Sequence, residues 1–144
     1  MNDETISRVH WSFWAIVIIA LIWNVMGLIN FFMQMNAAAL AEMSASQRVI
    51  IAGRSPWATA AFAMAVFGGA LCCVLLLIKK SIAVYLFGVS LLGMIVHMIP
   101  YLGMASSTIK FGPAEIAMFI LMPLTVAVFL IWYTKQVQRR GWIS

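Results

Sequence analysis

Four apolar runs, each long enough to cross a bilayer, constrain this chain more than anything else in it. They cover residues 11–33, 57–78, 82–102 and 114–133. Crossing about 30 Å of hydrocarbon at about 1.5 Å per residue takes roughly 20 mostly apolar residues. No water is available in that layer, so every backbone N–H and C=O must be satisfied internally, and only helices or closed barrels can span it. Four such runs cannot be barrel strands, so the expectation is an all-α integral membrane four-helix bundle. Composition agrees. The 144 residues are 65% hydrophobic and 9% charged, with a mean hydropathy of +1.03. A soluble domain carries about 25% charged residues, so lipid is the solvent for this one domain.

The net charge of +5 does not indicate a nucleic-acid partner. The basic residues sit in short clusters at the ends of apolar segments, as they do beside membrane helices, and no basic face with aromatic readers is present. With both termini in the cytoplasm, Arg8, Lys79, Lys80, Lys135, Arg139 and Arg140 lie inside and Arg48, Arg54 and Lys110 outside. This bias favours an N-in/C-in topology. Trp11, Trp14, Trp132, Tyr133 and Trp142 then become anchors at the inner interface, and Trp57 and Tyr101 at the outer one. The first apolar run is too long for a signal-peptide core, and Asp3 and Glu4 suit its leader poorly, so the segment is read as retained.

The connections differ in kind. Lys79-Lys80-Ser81 is a tight turn that makes the second and third helices antiparallel neighbours. The outer connection 103–113 is short and polar. The outer loop 34–56 is longer, and Leu40, Met43, Gln47 and Ile50/Ile51 recur in it at helical spacing. That pattern fits a short amphipathic helix on the membrane surface. An irregular loop fits as well.

Lipid tails provide no hydrophobic drive between helices, so small residues and polar contacts must hold the bundle together. Ala58, Ala61, Ala65, Gly69 and Cys72 fall on one face of the second helix. Ala61, Ala65 and Gly69, with Gly27 and Gly93, are the expected helix-packing positions, serving either the bundle interior or a contact with a second copy. Adjacent Cys72 and Cys73 cannot complete a tetrahedral metal site and read as small core residues.

Polar side chains inside a membrane are costly and usually face protein. Trp23, Gly27, Asn30 and Gln34 share one face of the first helix, with Asn24 about 120° from Asn30. Ser90, Gly93, His97 and Tyr101 share a face of the third. Glu115 opens the fourth, and Met118, Met122 and Thr125 continue its stripe. In the N-in topology Asn30, Gln34, His97, Tyr101 and Glu115 all fall in the outer half, with Thr59 and Arg54 on the same side. One reading is a polar cavity opening outwards, floored by Gly27 and Gly93 and binding a small or lipid-like ligand. The other is interhelical hydrogen bonding, worth about 0.6 kcal/mol per contact, with Glu115 placed at a helix N-terminus.

Sharper chemistries fit less well. Proton-coupled exporters need a carboxylate deep in the membrane, and Glu115 is at its edge. His10 and His97 lie at opposite faces, so one chain cannot supply a bis-His haem site. Met94, His97 and Met98 would suit Cu(I), but methionine is a common filler of membrane cores. No nucleophile–base pair with an orienting third group is visible. No metal, cofactor or catalytic residue is therefore expected. Pro123 removes a backbone hydrogen bond and predicts a kink in the fourth helix.

The chain resembles a family of small four-helix bacterial inner-membrane proteins of unassigned function, some labelled sugar transporters. The resemblance rests on Trp23-Asn24-Val25-Met26-Gly27, on Pro56-Trp57-Ala58-Thr59-Ala60-Ala61-Phe62-Ala63, on Phe67-Gly68-Gly69-Ala70-Leu71, on the Lys79-Lys80 turn, and on the tail from Trp132-Tyr133 to Gly141-Trp142. It implies a bacterial inner membrane and supports the helix count. The functional expectations are a small carrier or ligand binder working as a homodimer or other homo-oligomer, an accessory subunit of a larger membrane complex, and, last, a membrane enzyme.

Overall fold

The computed structural model describes residues 9–104 and 112–144. Arg8 and Lys110, which entered the topology argument, lie outside the described residues. The described elements are helical. They are α1 (Trp11–Met35), α2 (Ala37–Ala41), α3 (Ala45–Ala52), α4 (Pro56–Leu77), α5 (Ala83–Met104) and α6 (Pro113–Arg139). Four of them, α1, α4, α5 and α6, are long and apolar enough to cross a membrane. The chain is thus a small multi-spanning membrane protein, an all-α bundle of four spans.

Local chemistry sets the helix ends. Pro56 and Pro113 occupy the first turns of α4 and α6, where a missing N–H costs nothing. Asn36 accepts from the N–H groups of Ala38 and Ala39 to start α2. Ser44 and Gln47 form a reciprocal capping box at α3. The 34–56 connection is therefore two short helices, more ordered than either sequence reading required. The last helix continues past Tyr133 to Arg139, because its final turns become polar and can be solvated without breaking the backbone ladder.

The helices pack in the order α1–α4–α5–α6, with α4 and α5 forming the most extensive pair and no comparable packing between α1 and α6. The small-residue face of α4 makes the central seam. Ala58, Ala61, Ala65, Gly69 and Cys72 are all buried. A Cβ on Gly93 would sit 2.9 Å from the carbonyl oxygen of Ala61, so the α5 backbone lies directly on α4. Ser90 Oγ donates to the Ala65 carbonyl at 2.6 Å. Gly27 faces Val66, and a Cβ on Gly69 would collide with Asn24 Oδ1. This face is consumed within one chain, so it is not available to a second copy.

The two ends of the bundle differ. At the end carrying the Lys79-Lys80 turn, a closed core contains Phe13, Val17, Cys72, Cys73, Leu76, Phe87, Leu130, Val137 and Ile143. Here α1 and the C-terminal tail meet, with the Phe13 and Trp142 rings 6.3 Å apart and edge to face. The tail turns at Gly141, which takes a left-handed φ of 69°. It then docks on the turn, where Ser144 N–H donates to the Lys79 carbonyl and Ser81 N–H donates to the Ser144 carbonyl, both at 2.9 Å. At the other end, α1 and α6 leave a space between them that α3 covers.

Candidate functional site

That space is a cavity of about 500 Å³ bounded by α1, α3, α4, α5 and α6. Its volume lies in the range typical of small-molecule sites. Asn30, Gln34, His97, Tyr101 and Glu115 all line it, so the structure brings the sequence-derived candidates together from three spans. Gly27 lines it as well. Gly93 does not, because its close approach to Ala61 and Ala65 turns it into the α4–α5 seam. Deeper in, the lining becomes mostly apolar, with Phe87, Leu91, Met94, Met122, Val126 and Leu130 beside Asn24 and Ser90.

A chain of hydrogen bonds orders the polar end. Arg54, between α3 and α4, donates from Nη1 to Gln34 Oε1 at 2.8 Å and from Nε to Thr59 Oγ1 at 3.2 Å. Its guanidinium lies 5.5 Å from the Phe62 ring centre and interacts electrostatically with Tyr101. Gln34 Nε2 passes the chain on to Asn30 Oδ1 at 3.1 Å. Burial pulls the Arg54 guanidinium below its ordinary value, and Tyr101 works against that shift. Arginine remains a cation throughout. Arg54 does not itself line the cavity, but it positions Gln34 and Tyr101, which do. Tyr101 is thus a wall residue of the cavity.

His97 is buried and stacked on Phe62, with ring centres 4.4 Å apart and planes at 14°. Its Nδ1 is 3.4 Å from the Ala58 carbonyl oxygen. A carbonyl only accepts, so Nδ1 carries the proton and Nε2 is left as an acceptor. On the opposite wall, Glu115 Oε2 accepts from the Gly112 N–H at 3.2 Å, and Oε1 accepts from Ser46 Oγ at 3.5 Å. The Ser46 contact ties α3 to α6 across the top of the cavity. Met43, Ser46, Gln47, Ile50 and Ile51 add α3 and its approach to the lining.

Pro123 acts through a π turn over Ala117–Leu121, in which the Met122 N–H bonds back five residues to the Ala117 carbonyl. A π turn adds a residue to the helix and rotates everything after it. Met118 and Met122 remain in the lining, while Pro123, Val126, Ala127 and Leu130 follow them there. Thr125, expected on the same stripe, instead donates to the Leu121 carbonyl at 2.7 Å. Asn24 is also in the lining. Its Nδ2 donates to the Ala20 carbonyl at 2.8 Å and contacts Cys73 Sγ at 3.6 Å, joining α1 to α4.

Comparison with protein-family models, curated proteins and solved structures finds no match. What defines the chain is its own geometry, a four-span membrane bundle closed at one end and hollow at the other.

Proposed function

We propose that the protein binds a small amphipathic, lipid-like molecule in this cavity, either to carry it or to hold it. The observation behind the reading is the gradient from one end of the cavity to the other. Asn30, Gln34, Tyr101 and Glu115 lie at the end covered by α3, and Met94, Met122, Val126 and Leu130 lie deeper. An apolar pocket with a few convergent polar groups is the usual form of a ligand site. The gap between α1 and α6 offers a route from the lipid phase. In the proposed setting, a bacterial inner membrane with both chain ends cytoplasmic, the polar end faces outwards. An accessory subunit or a homodimer would have to dock on a face other than the α4 small-residue stripe.

The test is thermal stability in lipid nanodiscs against a panel of short-chain amphiphiles. A ligand present at about 100 times its dissociation constant contributes about 2.7 kcal/mol to the folded state. At least one amphiphile should raise the melting temperature of the native protein and leave Ala127→Trp, which fills the cavity, unchanged. Equal shifts in both proteins, or none in either, would overturn the reading.

A further inference from the structure

The charges around the cavity carry information about the head group, on the reading that the cavity binds an amphiphile. Arg54 and Glu115 sit at the same end, yet among the described residues they form no ion pair with each other. Each is instead hydrogen-bonded to neutral groups, Arg54 to Gln34 and Thr59 and Glu115 to Ser46 and Gly112. Opposite charges kept apart in this way leave two unlike poles at one site.

The poles are presented differently. Glu115 lines the cavity directly. Arg54 acts through the amides, because Gln34 Oε1 is occupied by the guanidinium and Gln34 Nε2 in turn occupies Asn30 Oδ1. Asn30 is exposed and lines the cavity; its Oδ1 already accepts one hydrogen bond, and its Nδ2 is a donor available to a ligand there. Chains of hydrogen bonds polarise one another in a low dielectric, so this amide N–H is a stronger donor than an isolated one.

We propose that the site takes an amphiphile with a zwitterionic head group, its ammonium set against Glu115 and its anionic oxygen against the Asn30 amide, with the tail in the apolar depth. A purely anionic head would meet Glu115. A purely cationic one would leave the polarised donor unused. The same head-group chemistry occurs in membrane lipids and in free phosphoethanolamine, and the apolar depth of the cavity favours the tailed form.

The test is calorimetric titration of the full chain in nanodiscs with compounds that share one tail: hexylphosphocholine, hexyltrimethylammonium, hexyl sulfate and hexyl glucoside. Free phosphoethanolamine serves as the tail-less probe. Hexylphosphocholine should bind most tightly, by about tenfold or more, the size of one charge-assisted hydrogen bond. Phosphoethanolamine alone should bind more weakly than the tailed zwitterion. Glu115→Gln should move preference toward the sulfate, and Asn30→Asp, a change at an exposed position, toward the ammonium. If the glucoside or a singly charged compound binds as tightly as the zwitterion, or if neither variant changes the ranking, the zwitterion inference fails while the amphiphile site stands. If no hexyl compound binds the native protein, both fail.

Discussion

Arg54 Nη1 lies 2.8 Å from Gln34 Oε1, so a cation in a loop fixes an amide one helix away. The same guanidinium holds Thr59 through Nε at 3.2 Å and lies close to Tyr101. Arg54→Ala should therefore loosen one wall of the cavity without unfolding the bundle. The expected result is roughly a tenfold or greater loss of amphiphile affinity, from a charge-assisted contact worth about 1.5–3 kcal/mol. Arg54→Lys should recover little, because an ammonium cannot reproduce the fork that reaches several partners at once. Titration of both variants, with circular dichroism as the check on folding, tests this.

The α4–α5 seam makes a separate prediction about stability. Gly93→Leu places bulk where even a Cβ would crowd the Ala61 carbonyl, and overpacking of this kind costs about 1–3 kcal/mol. Ser90→Ala removes the bond to the Ala65 carbonyl and should cost about 0.6 kcal/mol, with about 1.7 as the upper end for such bonds in membranes. Reversible unfolding in mixed micelles distinguishes the two sizes of effect. Equal stability for all three proteins would contradict the packing described.

Much of this was legible in the sequence, for physical reasons. Membrane thickness sets span length, so the four helices could be counted from hydropathy. The period of the α-helix put Ala58, Ala61, Ala65 and Gly69 on one face, and depth along the spans grouped Asn30, Gln34, His97, Tyr101 and Glu115. Arg54 was harder to see. A basic residue beside a span resembles any other flanking charge until the fold turns it inward. Asn24 stands about 120° from Asn30 on the helical wheel, yet the cavity wraps far enough around α1 to reach both. The π turn before Pro123 changed the register of α6, and a uniform helical wheel has no means of anticipating that. Ser46 and Gln47 join the site only because α3 folds over it.

The cysteines supply a probe of the closed end. Cys72 and Cys73 are fully buried, so maleimide should not label the folded protein and should label it after denaturation. With that silent background, a cysteine added after Ser144 reports topology. Labelling from the cytoplasmic side alone is expected for the proposed N-in/C-in orientation, and labelling from the periplasmic side alone would reverse it.

The docked tail is a further test of the same end. Gly141 adopts a left-handed φ of 69°, which costs a residue with a Cβ about 1–2 kcal/mol. Gly141→Ala should lower stability by about that amount and release Trp142 from the Phe13 ring, visible as a change in tryptophan emission. The cavity at the far end should keep its ligand affinity.

The central claim is that the hollow end of the bundle holds a small amphiphile, and native mass spectrometry of protein released gently from its own membranes tests it most directly. The native chain should carry a discrete added mass that Ala127→Trp lacks. A chain that flies bare in both forms, or carries the same added mass in both, would contradict the account.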